Sequence, residues 1–511
     1  ASRNDAPPAD LYTSQTLLPA GGFGYITTRD GTTLSANVVL PGPADKGPYP
    51  TVVEYSGYQP SDPDSAQLAA IYTAQGFAYV GVNMRGTGCS GGSYRFFEEV
   101  QSLDGYDVIE AVAAQPWVKF HTVGMVGISY PGISQLFVAA TQPPHLNSIT
   151  PLSVLDDSYR STLYPGGILN TGFAVDWTKA RVESARPYGQ GWSKKRADGG
   201  DTRCADNQLL RLQNPDLLGE IEQNPFYANP LGDSLAPITF VDRIKVPVFI
   251  AGAWQDEQTG GHFPAMLSNF TSSPHLYVTL VNGLHTESLS PPVARRYFEF
   301  LQLYVAQKVP DLGVAPVIAS GLGAAIWGVT KFGPFESRFK GMSYADALAA
   351  FESEPSVRIL FEQGGNPAYA PGTPEPNFTA TFDSWPINPV ASVDRYLLGS
   401  GTLTPEAQPA PAEGDDQFVA DPTKLPATFY SGDGNGVWRA DVRYDWKAVP
   451  SGFGVGYIIG PRIAALAASI RALVGATTRA ADIGASWSWP SCARVAFNAP
   501  SIAWKKKYTR S

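Results

Sequence analysis

The feature that most restricts this chain is an alternation running through its first 155 residues. Runs of buried-strand type trade places with segments of helical period: "YPTVVEYSGY", "DSAQLAAIYTAQG", "FAYVGVNM", "DGYDVIEAVAAQP", "TVGMVGIS", "GISQLFVAATQ", then "LNSITPLSV". Continuous apolar strands are covered on both faces, and intervening helices carry the chain back to the start of the next parallel strand. The order therefore predicts an α/β fold, a parallel sheet layered with helices. Ahead of it, residues 24–40 alternate about Arg29-Asp30-Gly31 and predict a hairpin.

The pattern then changes. Between 156 and 240, "DWTKARVESARPYG" and "ADNQLLRLQNPDLLGEIEQ" are polar, helical and strandless, as expected of a helical cap inserted over a sheet. Strands resume at "VPVFIAGAW" and "HLYVTLVNG", so residues 1–155 and 241–345 form the two parts of one α/β core. From 346 to 511, short β-like runs such as "PSVRILFEQ", "FTATFDSW" and "VDRYLLGSGTLT" stand between turn clusters. They predict an all-β, jelly-roll-like sandwich module. A chain of 511 residues is long enough for several domains. From about 458 the module becomes atypical, with eight basic residues, the single acid Asp482 and a helical "IAALAASIRALVG". Either the tail is divergent or the reading frame shifts near residue 460, which would leave the module incomplete.

Two serines compete for the role of nucleophile. Ser90 lies in a strict Gly-x-Ser-x-Gly, but it follows its strand only after Arg85-Gly86-Thr87-Gly88, and "GGSYRFFEE" makes a poor helix start. At this glycine content, roughly a third of a copy of that pattern arises by chance. Ser129, in "GISYPG", breaks the pattern at Pro131 yet sits between a buried-type strand and an apolar helix. That strand–turn–helix context is what a nucleophile elbow demands. Ser129 is therefore the expected nucleophile, and Ser90 is read as a loop residue.

An elbow serine needs a base and an orienting acid, in the chain order Ser, Asp, His. Five histidines are available. His121 and His145 lie in the wrong part of the order, His275 opens a strand and His262 starts a helix. His285 follows a buried-type strand in "VTLVNGLHTES", where open α/β sheets place their chemistry. The loop after the previous strand, "AWQDEQTG", supplies Asp256, with Glu257 as competitor. The expected catalytic set is Ser129, Asp256 and His285, needing neither metal nor organic cofactor.

Composition limits the remaining classes. The net charge is −9, against the clustered cations that a nucleic-acid partner requires, and no apolar run approaches a membrane span. Three cysteines lack metal-ligand spacing. Cys89 and Cys204 can pair in an exported protein, leaving Cys492 odd; the alternative is three free thiols. The opening "ASRNDAPPAD" is read as following a removed signal peptide, so a secreted protein is expected, with the cytoplasm as alternative.

"SLDGYDVIEAVAAQPWVKFHTVGMVGISYPG", "VNMRGTGCSGG", "AGAWQDEQTGG" and "NGLHTES" resemble the X-Pro dipeptidyl-peptidase/cocaine esterase (CocE/NonD) family of α/β-hydrolases. The resemblance covers about residues 20–456. It implies the α/β-hydrolase fold and a Gly-x-Ser-Tyr-x-Gly elbow, matched by Gly127, Ser129, Tyr130 and Gly132. It implies a Trp-x-Asp acid, matched by Trp254 and Asp256, which favours Asp256 over Glu257. It also implies an oxyanion hole made by the Tyr130 backbone N–H and the Tyr58 hydroxyl, with Tyr55 as runner-up.

The expected activity is hydrolysis of a small or polymeric ester or amide through an acyl-enzyme. An X-Pro dipeptidyl aminopeptidase is the rival, for which Glu220 and Glu222 are candidate amine-binding acids. A carbohydrate- or polymer-binding protein with a vestigial triad is the rival of another class.

Overall fold

The computed structural model describes residues 7–17, 22–64, 67–227 and 231–387, with the backbone of 396–398 and 402–404. The chain divides into two compact units, 1–385 and 386–511.

The first unit is built on one ten-stranded mixed sheet, in the order β1-β2-β4-β3-β5-β6-β7-β8-β9-β10. The predicted hairpin forms its edge, β1 (Gly22–Thr27) against β2 (Thr33–Val39), and β2 pairs antiparallel with β4 (Ala78–Asn83). From β4 the pairing is parallel through β3 (Tyr49–Ser56), β5 (Val118–Ile128), β6 (Leu146–Leu152), β7 (Val248–Ala253) and β8 (Leu276–Val281). Every residue of β4 and β7 is buried, as expected of strands covered on both faces.

The covering helices include α1 (Gln67–Ala74), α2 (Glu99–Ala113) and α3 (Tyr130–Ala140). Between β6 and β7, no strand occurs among the described residues. Helices α4 (Phe173–Ser184), α5 (Gly191–Asp198), α6 (Thr202–Leu209), α7 (Leu217–Gln223) and α8 (Leu231–Ser234) fill this insertion. After β8 come α9 (Pro291–Tyr304), α10 (Ala315–Trp327) and α11 (Tyr344–Glu352). Helix α9 buries Tyr297, Phe298, Phe300 and Leu301 in a core shared with Phe249, Tyr277 and Phe351. Full burial of each such side chain stabilises by roughly 1.5–3 kcal/mol.

One boundary differs from the sequence reading. "PSVRILFEQ" and "FTATFDSW", assigned above to the β module beginning at 346, become β9 (Val357–Phe361) and β10 (Phe378–Phe382) of the main sheet. Strand β9 is parallel to β8, β10 is antiparallel to β9, and the first unit runs to Trp385. Alternation alone does not say which sheet a strand joins; here β9 takes the edge that β8 would otherwise expose. In the second unit, β11 (Tyr396–Leu398) pairs antiparallel with β12 (Thr402–Thr404) within "VDRYLLGSGTLT". The rest of the expected jelly-roll module and its basic tail lie outside the described residues.

Candidate active site

Ser129 occupies the turn between β5 and α3. Its backbone is left-handed, φ 66° and ψ −128°, a conformation that costs a non-glycine residue of order 1–3 kcal/mol. The surroundings over-determine it. Ser129 N–H donates to the Leu152 carbonyl at the end of β6 (2.9 Å), and its own carbonyl accepts from Ile133 N–H at 2.7 Å. Gly127 has φ +144°, and a Cβ there would stand 2.6 Å from Pro131 Cβ. A Cβ on Gly132 would stand 2.6 Å from the Leu152 carbonyl oxygen. The close approach of helix to sheet thus falls at residue 132. Position 131 is free for a proline, which suits the first turn of α3.

Asp256 and His285 follow the ends of β7 and β8, two and three strands over from β5 in the sheet. His285 Nδ1 lies 2.7 Å from Asp256 Oδ2, with both side chains buried. Asp256 is saturated besides: Gln258 N–H and Thr259 N–H each donate to Oδ1 at 2.8 Å, and Thr259 Oγ1 donates to Oδ2 at 2.7 Å. An acid that already accepts three bonds leaves the bond to Nδ1 for an N–H, which sets the tautomer of the ring. Burial disfavours protonated His285, but the charge and hydrogen bond of Asp256, with the charge of Glu257, outweigh it and hold the imidazole above its ordinary range. Burial likewise opposes the Asp256 carboxylate, and His285 with the Thr259 hydrogen bonds holds it below the usual carboxylate range.

The backbones of the serine and histidine segments are linked through β6. Leu152 receives the Ser129 N–H, and the next residue, Ser153, donates its hydroxyl to the His285 carbonyl at 2.7 Å. The competitor acid has a different place: Glu257 Oε2 accepts the His285 backbone N–H at 3.0 Å. Three other histidines are engaged elsewhere, His121 with the Ala113 carbonyl, His145 with Glu110 and His275 with Glu352. His262 precedes the 3-10 helix Phe263–Asn269.

Of the tyrosines, Tyr55 is fully buried and donates to the Gln101 carbonyl at 2.9 Å, which occupies its proton. Tyr58 is half-buried and stands edge-on to the Tyr130 ring, centroids 5.5 Å apart. Tyr130 is the first residue of α3, where a backbone N–H has no partner within its own helix. Ser90 is fully buried. Its hydroxyl donates to the Asn83 carbonyl (2.7 Å) and accepts the Ser35 N–H (2.8 Å), a structural bond in the core. Cys89 and Cys204 form a buried disulfide packed with Trp192, which ties the loop after β4 to α6 in the insertion. Glu220 pairs with Arg95 at 2.5 Å, and Glu222 is exposed.

Beside Ser129 lies a narrow recess of about 40 Å³ lined by Phe96, Phe97, Tyr130, Leu155, Phe173 and Trp177, among others. No charged side chain is among its described lining residues. Sequence reasoning missed this wall. "GGSYRFFEE" looked like a plain glycine-rich loop, and the insertion helix carrying Trp177 looked like polar surface. It also missed Thr259, for which the Asp-x-x-Thr spacing is a local signal, since a hydroxyl three residues on can fold back onto the acid. Among the described residues, no cluster of three or more His, Cys, Asp or Glu could hold a metal, and no helix is long and apolar enough to cross a membrane.

A protein family described as X-Pro dipeptidyl-peptidase (S15 family) matches residues 30–287, half of the chain. The cocaine esterase of Rhodococcus sp. is 27% identical over 217 residues, which is 42% of this chain and 36% of that enzyme. The aligned stretches span 27–36% of the length of the curated relatives they match. Among solved structures, a CocE/NonD family hydrolase from Staphylococcus aureus superposes with a TM-score of 0.53 at 19% identity, covering 75% of this chain and 60% of that one. An aminopeptidase from a marine-sediment Thaumarchaeota archaeon superposes at 0.51 and 16% identity, covering 86% and 72%. At these identities the structural likeness concerns the fold, that of an α/β-hydrolase.

Proposed function

The chain belongs to the X-Pro dipeptidyl-peptidase S15 family, and from that premise we propose that it is a serine hydrolase cleaving uncharged esters through an acyl-enzyme on Ser129. The observation that carries the reading is the Asp256–His285 bond, formed after β7 and β8 of the same sheet whose β5 ends in the strained Ser129 elbow. His285 Nε2, the ring nitrogen opposite the one bound to Asp256, takes the proton of Ser129 Oγ. The oxygen attacks the ester carbonyl. Asp256 holds the tautomer and stabilises the imidazolium. Tyr130 N–H and Tyr58 O–H stabilise the oxyanion, each such donor lowering the barrier by roughly 3–4 kcal/mol. The imidazolium protonates the leaving alkoxide, and water repeats the sequence to release the acid and restore the serine.

The recess favours an ester over a peptide with a free amine. An ammonium group taken into an uncharged aromatic wall loses its hydration without a counter-charge. Glu220, the sequence candidate for that counter-charge, is already neutralised by Arg95, and Glu222 faces solvent. The buried Cys89–Cys204 disulfide supports an exported protein, because such bonds persist in oxidising compartments.

Labelling of wild type and Ser129→Ala with a fluorophosphonate, followed by turnover of a 4-nitrophenyl ester and an X-Pro-anilide, tests the proposal. Labelling of wild type alone, with ester turnover well above anilide turnover, is expected. An unlabelled wild type would favour a binding protein with an inactive triad, and faster anilide cleavage would favour the dipeptidyl-peptidase.

A further inference from the structure

We infer that the oxyanion donor is tuned from the helical insertion: Trp177 and Arg181, one turn apart on α4, are positioning residues that direct and strengthen the Tyr58 hydroxyl. This rests on the assignment of Tyr58 as the side-chain donor.

Trp177 Nε1–H donates to Tyr58 Oη at 3.1 Å. A phenol has one proton, and an indole N–H donates but cannot accept. The contact with Trp177 therefore uses a lone pair of Tyr58 and leaves its O–H to point elsewhere. Accepting one hydrogen bond also polarises a hydroxyl and strengthens the bond it donates. On the ring face, Arg181 Cζ lies 4.8 Å from the Tyr58 centroid and 6.0 Å from that of Trp177. Arg181 Nε is buried with no hydrogen-bond partner among the described residues. A guanidinium over a phenol withdraws electron density from it and adds positive potential where negative charge develops in the reaction. Burial pushes the neighbouring Tyr94 and Tyr130 phenols up, and the Arg181 charge opposes it at both.

The insertion also holds the backbone of the same residue. Gln190 Nε2 donates to the Gly57 carbonyl at 3.0 Å and the Tyr58 carbonyl at 2.7 Å. A Cβ at Gly57 would meet Tyr130 Cε1 at 2.6 Å, so the turn is closed against the elbow on its other side. Tyr58 follows β3 of the α/β part of the chain, yet its ring, hydroxyl and carbonyl are each contacted by a residue of the insertion.

Trp177 also lines the recess, so the bland reading is that it shapes the acyl pocket. A double-mutant cycle on the full chain separates the two, with kcat and KM for 4-nitrophenyl butyrate normalised to fluorophosphonate-titrated sites. Trp177→Phe keeps the ring and removes the N–H; Arg181→Met keeps the stem and removes the charge. Each is expected to lower kcat by roughly three- to tenfold with KM within about twofold, and Arg181→Lys to restore part of the loss. In a Tyr58→Phe background, the same changes should move kcat by less than about twofold.

An unaltered kcat in Tyr58→Phe alone overturns the donor assignment, and this inference with it. A slow Tyr58→Phe with full-speed Trp177→Phe and Arg181→Met overturns only the inference. So does a loss carried by KM, or one undiminished in the Tyr58→Phe background. If Trp177→Phe fails to fold, the Arg181→Met and Arg181→Lys pair completes the same cycle.

Discussion

Glu257 Oε2 accepts the backbone N–H of His285 at 3.0 Å, while the neighbouring Asp256 holds the imidazole of that residue at 2.7 Å. Consecutive acids thus grip one histidine at its main chain and its side chain. In the proposed mechanism their chemistry is different: Asp256 sets a tautomer and stabilises the imidazolium that develops, and Glu257 fixes a loop.

That division predicts unequal losses. Asp256→Asn should lower kcat by on the order of a thousandfold or more, because the amide no longer stabilises the imidazolium and favours the wrong tautomer. Glu257→Gln keeps an oxygen acceptor for the His285 N–H and should stay within about tenfold of wild type. Steady-state ester hydrolysis measures both, and equal losses would contradict the division.

The pH dependence follows from His285. Its pKa is raised, so the inactive imidazolium persists above the ordinary histidine value of about 6.5. Activity should rise with pH through a midpoint above that value, read as kcat/KM for the free enzyme. Removing the Asp256 charge leaves burial, which disfavours the cation, opposed by the smaller contribution of the Glu257 charge. The residual activity of Asp256→Asn should therefore titrate at lower pH, and an unmoved midpoint would mean another group controls the limb.

The elbow predicts opposite tolerances at neighbouring positions. Gly132→Ala drives a methyl to 2.6 Å from the Leu152 carbonyl oxygen and should cost about 1–3 kcal/mol along with most of the activity. Pro131→Gly restores the strict pentapeptide. It should fold and turn over ester, with a stability loss of about 1 kcal/mol or less from the added freedom of the unfolded chain. Thermal denaturation and ester assays of the two variants decide it.

Ser90→Ala should behave as a core mutant. Its loss leaves the buried Ser35 N–H without the acceptor that Ser90 supplies, for about 1–3 kcal/mol. Fluorophosphonate labelling and kcat should persist at a temperature where the variant is folded.

The disulfide closes a sequence separation of 115 residues. Cys204→Ser should cost roughly 2–5 kcal/mol of stability. Unfolding in reductant should lower the Tm of wild type but not of Cys204→Ser. A wild-type Tm indifferent to reductant would show the thiols unpaired in solution.

The alternation of strands and helices, the elbow and the choice of His285 were legible because each is carried by neighbours in sequence. A buried strand, a sharp turn and an apolar helix are set by residues within a few positions of Ser129. The other side chains of the site were not legible. Phe96 and Phe97 follow a glycine-rich loop with no period of their own. Trp177 lies on a helix whose exposed side looks like solvent surface. The same holds for β9 and β10, whose short runs suit a separate sandwich as well as an edge of the main sheet.

Local spacing thus determined which residue would be strained and which strand ends would carry the Asp256–His285 pair. The tertiary structure alone decided that the second elbow glycine answers to a carbonyl on β6, that Glu257 binds a backbone rather than a ring, and that an indole 119 positions away rests on the Tyr58 hydroxyl. The physical reason is one of range. Backbone propensity and periodicity act over a few residues, whereas these contacts join segments that only the packing of helices onto the sheet brings within hydrogen-bonding distance.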